Sequence, residues 1–424
     1  MTEKKAKPLR DDFRPALIDK LTDVLTRTKI NNNLFIEYKT FNELADLDLQ
    51  LAKKPIGKLS KDYVTDSPLV DFLFEVLAEE IHGSRKYDSQ VEPILLTEIE
   101  KYKDPHSLAD RLVKDFESLP REYKLYIKLP IFFFKEILGT ERFELSSALS
   151  LVYPSEEFKS SFPPPIYEPR RRRSFSLFSF AKETEQRLDW DYRVYCEVSI
   201  QGFIGIYEDT SPIKRCSFLV RAFCGLSLAL QLFETDFTFL AEDAYLKIYE
   251  KNENKWNAKK TRVLPTEFAQ GLDKLRLQES FIPKEIINKR PQFILSVLKK
   301  LFSNEQENER ILRAAQWYFD SYCGDNELLS FVKSTICLEI LLGDKKVSDL
   351  IGIMELLRNR CAYLIGSNQI EREQILKDFN EIYRTRSEIV HNGQNRLTKL
   401  ERESLFKLRQ LCARVIRKET QLAT

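Results

Sequence analysis

Three histidines occur in this chain, at positions 82, 106 and 391, and only His391 has neighbours that suggest chemistry. It closes the run Tyr383-Arg-Thr-Arg-Ser-Glu-Ile-Val-His-Asn-Gly393. An imidazole there can move a proton, and a guanidinium such as that of Arg386 can hold a phosphate. Ser387 lies four residues before His391, one turn back on the same helical face. Arg386 lies five residues back, about 140° around a regular helix, so a shared site is permitted but not required. An arginine and a histidine near a helix end can equally cap carbonyls or face solvent. His82, beside Gly83 at a predicted helix end, and His106, after Asp104-Pro105, read as structural or exposed.

His391 must be positioned by a helical array. Ile311, Ala315, Tyr318 and Tyr322 mark a first helix, and Leu328, Phe331, Val332, Thr335, Leu338 and Leu342 a second, closed by Gly343. Leu350, Met354, Leu357, Cys361 and Leu364 mark a third. A fourth runs from about Ile370 to His391 and stops at Asn392-Gly393. Leu405, Leu408, Cys412 and Val415 mark a fifth. Five amphipathic helices with short joins predict a bundle. From Arg384 to Lys418 ten Lys/Arg face three acids, a local excess of seven. That is the signature of a phosphate-binding face, or of a solvated helix surface. Arg384, Arg396 and Lys399 are the candidate phosphate contacts.

Upstream, the spacing predicts helices at Leu17–Leu25, from Ser67-Pro68, near Val91–Tyr102 and at Ser107–Phe116. Tyr123, Leu125, Ile127 and Leu129 alternate with charged neighbours as in a half-buried strand. Phe143–Val152, the DYRVYCEVSIQGFIGIY segment and the TFLAEDAYLKIYE segment also read as strands. Leu219–Phe233 reads as a buried helix between the last two. Pro163, Pro164 and Pro165, with Arg170, Arg171, Arg172 and Arg173, predict an exposed extended loop, either an RNA hook or a solvated connector. A polar stretch, Ser303–Glu309, separates all this from the C-terminal helices. The fold class expected is α+β: a mostly helical region 1–119, a mixed α/β module 120–300 with a possible regulatory role, and a helical bundle over 308–424.

The 424 residues exceed the usual size of one domain, while 67 Lys/Arg against 65 Asp/Glu give no global pull towards nucleic acid. Seven cysteines form no CxxC pair, which predicts reduced, buried thiols and no metal site. No cofactor is expected. The basic N-terminus lacks an apolar core, and Phe218–Phe233 is too short to span a bilayer, so a cytoplasmic protein without membrane contact is expected.

The run from Tyr383 to Gly393, with its R-x4-H spacing and Ser387 in the polar slot, resembles the signature of HEPN domains, in particular the Apea-like branch. The segment FVKSTICLEILLG, which carries Glu339, is similar to the second helix of that family. The resemblance covers roughly 308–420. It implies a metal-independent endoribonuclease in which two chains pair their motifs in one cleft, as a homodimer or higher homo-oligomer. His391 would act as general acid/base and Arg386 would hold the scissile phosphate. Ser387 and Asn392 would support them, and Glu339 would contact Arg386 or be a satisfied buried polar group. The expected partner is RNA, single-stranded or tRNA-like. Anti-phage defence or a toxin–antitoxin pair, with a phage-derived trigger or an antitoxin, is the implied setting. The alternatives are a non-catalytic RNA-binding or dimerisation module and a protein-interaction scaffold.

Overall fold

The computed structural model describes residues 9, 13–53, 60–167, 186–207, 209–236, 244–281, 289–344, 352–392 and 395–424. The arginine run Arg170–Arg173 and Gly393 lie outside the described residues. The chain forms two compact units, residues 1–123 with 200–216, and residues 124–199 with 217–424. It is a mixed α/β protein in which helices predominate.

In the first unit, α1 (Phe13–Arg27), α2 (Ala45–Ala52), α3 (Pro68–Ser84) and α4 (Pro105–Glu117) surround a core that includes Leu17, Leu21, Phe72 and Leu112. Each such fully buried side chain contributes about 1.5–3 kcal/mol. Ser67 and Pro68 do open α3, but the Ser67 side chain makes no cap. The buried Asp48 carboxylate of α2 takes the Leu69 and Val70 amides instead, at 3.0 and 3.1 Å. At α4 the cap is Asp104, which accepts from the His106 and Ser107 amides. The helix expected near Val91–Tyr102 is absent. That stretch holds the two-residue strand Ile94–Leu95 and two single-turn 3-10 helices, too short for helical periodicity to register.

The second unit contains a six-stranded sheet. Its strands are β1 (Arg121–Lys128), β2 (Arg142–Glu144), β3 (Leu149–Val152), β4 (Tyr195–Gly202), β5 (Tyr245–Asn252) and β6 (Lys255–Val263), in the order β6-β5-β1-β4-β3-β2. The single strand expected over Phe143–Val152 is a tight hairpin, with Leu151 opposite Phe143. β1 keeps the expected alternation, with Tyr123, Leu125 and Ile127 buried and Glu122, Lys124 and Lys128 partly exposed, except that Tyr126, on the face of the charged neighbours, is wholly covered. It packs against Phe158, Phe162, Trp190 and Tyr249. The helix expected at Leu219–Phe233 is α5 (Ser211–Ala229), and Phe233 instead starts a strand paired with Leu275–Leu277.

Lys247 of β5 is buried beneath this aromatic layer. Its ammonium donates to the Leu188 and Asp189 carbonyls at 2.8 and 3.0 Å and lies 4.0 Å from the Trp190 ring centroid. Burial pushes the amine down to about 8. In the unfolded chain a lysine titrates near 10.4. The cost of burying the charge is therefore present in full below about pH 8 and relieved as pH rises towards 10. Denaturant unfolding of wild type and Lys247→Met from pH 7 to 10 should show wild type gaining on the variant by on the order of 2–3 kcal/mol. A constant difference across that range would contradict the burial argument.

After β6 the chain continues through α6 (Thr266–Asp273) and α7 (Arg290–Ser303), and then the C-terminal helices. These are α8 (Glu305–Asp320), α9 (Glu327–Leu342), α10 (Ile353–Ile365), α11 (Gln369–Asn392) and α12 (Lys399–Ala423). A helix is found for each of the five expected here, with Leu350 of the third lying outside the described residues. The polar run Ser303–Glu309 crosses the α7–α8 junction, and residues 305–309 are helical. Glu305 and Glu307 suit a positive helix N-terminus. Asn308 is buried and donates to the Leu301 and Asn304 carbonyls, stitching α8 to α7.

Candidate functional site

α11 is held by one apolar face, with Ile375, Phe379, Ile382 and Tyr383 buried. The opposite face carries Lys377, Asn380, Arg384, Ser387 and His391 into solvent. The helix stays regular as far as Asn392, whose side chain lies outside the described residues. No unwound turn therefore rotates Arg386 towards His391, and the 140° between them persists.

The structure places Arg386 against α9. Its Nη2 lies 3.5 Å from Oε1 of Glu339, both side chains being about a third exposed. Tyr383, one turn earlier on α11, donates its hydroxyl to the same Glu339 oxygen at 3.5 Å. Burial, followed by the Glu339 charge, pushes the Tyr383 phenol well above its ordinary range, so it stays a donor. Both contacts are long, and the Arg386 Nε is buried without a hydrogen-bond partner. Of the two readings of Glu339, contact with the motif arginine is the one observed. Tyr383 escapes the sequence reading, because its place on the apolar face marks it only as core.

His391 is exposed, as is Ser387 one turn before it. His391 makes no hydrogen bond or ion pair with another described residue. Arg386, Glu339 and Tyr383 are thus brought together, while His391 and Ser387 share the outer side of the helix end. Arg384 and Arg396 are exposed, and Lys399 is exposed as the first residue of α12, where Thr398 and Glu401 form a capping box.

The local cationic excess is largely spent within the unit. Arg402 pairs with both oxygens of Glu327 at 2.9 Å, and Lys407 with Asp378 and Glu381 at 2.9 and 3.3 Å. Arg414 pairs with Glu371 and donates to the Ile365 carbonyl. Hydrogen bonds from Ser367 first, and then Arg414, hold the Glu371 carboxyl down to about 2. Arg409 donates to the Ser321 carbonyl and stacks on Tyr322 at 4.2 Å. Burial pulls its guanidinium below the ordinary arginine range. The acids that meet these cations lie on α9 and on the earlier turns of α11, outside the segment that carries the surplus. Arg384, Arg396, Lys399, Lys418 and His391 are exposed.

No helix among the described residues is long and apolar enough to cross a membrane. All seven cysteines are buried, and none forms a disulfide. No protein-family model, curated protein or solved structure matches the chain.

Proposed function

We propose that the C-terminal helices form a HEPN-type endoribonuclease in which Arg386 and His391 cut RNA across a pair of chains. The observation that carries this reading is the solvent-facing His391 at a regular helix end, with the motif arginine anchored five residues earlier. Within one chain the two side chains point apart, so a site that uses both draws His391 from one copy and Arg386 from the other. His391 takes the proton from the ribose 2′-hydroxyl as that oxygen attacks phosphorus. A proton returns to the departing 5′-oxygen, leaving a 2′,3′-cyclic phosphate. Arg386, already oriented by Glu339, stabilises the extra negative charge on the phosphoryl oxygens. Dependence on the 2′-hydroxyl makes DNA a poor substrate. Ser387 and Asn392 would orient the imidazole, and Arg384, Arg396 and Lys399 would hold flanking phosphates. An anti-phage or toxin–antitoxin setting follows from the resemblance alone.

The Arg386–Glu339 pair and the internal use of so many cations favour a second reading, an RNA-binding or dimerisation module without cleavage. One experiment separates them. Wild type, Arg386→Ala and His391→Ala are incubated with total RNA in EDTA, and products are resolved on denaturing gels. Cleavage by wild type, lowered at least about 100-fold in each variant, is expected. Equal cleavage by all three would remove the two residues from the chemistry, and binding without cleavage would favour the second reading.

A further inference from the structure

We propose that Tyr383 is a positioning residue for Arg386: its hydroxyl sets the Glu339 carboxylate, and through it the angle at which the guanidinium meets an RNA phosphate. The inference rests on the reading of Arg386 as the residue that holds the phosphate. Arg386 follows Ile375, Phe379 and Ile382 along the covered face of α11, whereas Arg384, two residues earlier, is exposed. An arginine present only to solvate the helix would face out as Arg384 does. Instead the Arg386 Nε is buried without a hydrogen-bond partner, so its lost hydration is not replaced. The ion pair with Glu339 is a poor staple for α9 and α11. At 3.5 Å, with both side chains about a third exposed, it adds little stability. A buried donor left over, beside a weak and long contact, suits a site whose hydrogen bonds tighten when the ligand arrives.

Glu339 is a flexible side chain and cannot orient Arg386 unaided. Tyr383 and Arg386 are its only polar side-chain partners among the described residues. Tyr383 supplies the fixed point. It is 8% exposed, and its ring stacks on Phe379 with centroids 5.7 Å apart and planes 12° from parallel. A ring packed in this way has one place for its hydroxyl, which donates to Glu339 Oε1. That is the oxygen facing Arg386 Nη2. Tyr383 and Arg386 are three residues apart on one helical face, so a single carboxylate oxygen is held from both. With Oε1 held by the phenol, the carboxylate stays turned towards α11 while Arg386 gives its remaining N–H groups to a phosphate. Packing alone has no use for the hydroxyl, and a phenylalanine would fill the same space.

Tyr383→Phe keeps the ring and removes only that group. Full-length wild type, Tyr383→Phe, Arg386→Ala and Glu339→Ala are compared, with Tyr383→Phe also added to each of the last two. The probe is a fluorescein-labelled RNA 20-mer of random sequence. Its 2′-O-methyl form cannot be cut, so anisotropy reads binding, and its ribose form reads cleavage on gels. Arg386→Ala should bind the 2′-O-methyl strand at least about 10-fold more weakly than wild type. Tyr383→Phe should bind it about 3- to 10-fold more weakly, with a melting temperature within about 3 °C of wild type. In the Arg386→Ala and Glu339→Ala backgrounds Tyr383→Phe should change nothing further, because a residue acting through them has nothing left to act on. A merely structural tyrosine would instead lower the melting temperature and give the same loss in every background, which overturns the proposal. It is equally overturned if wild type leaves the strand unbound, or if Tyr383→Phe or Arg386→Ala binds as wild type does. The nuclease reading is judged separately on the ribose strand. Coupled binding without cleavage keeps Tyr383 in its role and removes the nuclease, and cleavage by a Tyr383→Phe variant indistinguishable from wild type does the reverse.

Discussion

Gly225→Ala should cost the second unit at least about 3 kcal/mol and lower its melting temperature by roughly 6–12 °C, measured by calorimetry on the full chain. Gly225 lies in the α5 helix, where a Cβ would fall 1.8 Å from the carbonyl oxygen of Ala315 and 2.6 Å from its carbonyl carbon. The obstacle is the backbone of α8, so relief needs one helix to move against the other rather than a side chain to rotate. Both helices are locked nearby. Phe223, Cys224 and Leu226 are wholly buried on α5, as are Leu312, Ala314 and Phe319 on α8. Arg221 of α5 meets Asp320 of α8 at 2.6 Å within the same unit. Gly83→Ala supplies the control: it is also a helical glycine, with nothing within 4 Å of its Cβ. There the lower backbone entropy of the unfolded chain should make the change neutral or stabilising by up to about 1 kcal/mol. Equal melting of Gly225→Ala and wild type would mean that the two helices are not in this close contact.

Ser303–Glu309 reads as a linker in the sequence, although it crosses the junction of two packed helices. A polar run is visible locally, whereas the glycine contact joins residues ninety apart. The C-terminal helices are legible because each exposes one face and buries the other, and that period of 3.6 is written into Leu328–Leu342 and Ile375–Tyr383. The sheet is less legible because its order is non-local. β6, KWNAKKTRV, escapes notice altogether: it is an edge strand, and charged side chains at an edge guard against pairing with other chains. At the candidate site, the angular separation of Arg386 and His391 follows from helical geometry alone and is retained. The phosphate-face reading of the basic segment loses much of its force, because Glu327, Glu339, Glu371, Asp378 and Glu381 come from elsewhere in the chain. A windowed charge count cannot see partners that folding brings in.

Glu197→Ala should destabilise the protein by about 3–5 kcal/mol, the cost of breaking a buried ion pair from one side. Glu197 of β4 is 1% exposed and serves three partners. Arg142 of β2 reaches its Oε1 at 2.7 Å, Lys124 of β1 lies 3.2 Å from the same oxygen, and the Tyr126 hydroxyl donates to Oε2 at 2.8 Å. Burial alone would raise the carboxyl, but the Arg142 hydrogen bond and the Lys124 charge outweigh it and hold the group below its ordinary value. Its stabilisation is therefore complete above the unfolded carboxylate range, near pH 4.3, and is lost as pH falls through the lower folded value. Removing the carboxylate strands Lys124 between the Phe162 and Trp256 rings, each 5.2 Å away, with no anion left to neutralise it. Arg142, its side chain nearly half exposed, can turn to water, so most of the cost falls on Lys124 and Tyr126. Replacing the buried members together tests that division. Glu197→Leu with Lys124→Met and Tyr126→Phe removes charge and hydroxyl at once and should recover most of the stability lost in Glu197→Ala. If the triple variant is no more stable than the single one in urea unfolding, the penalty comes from lost packing rather than from an orphaned charge.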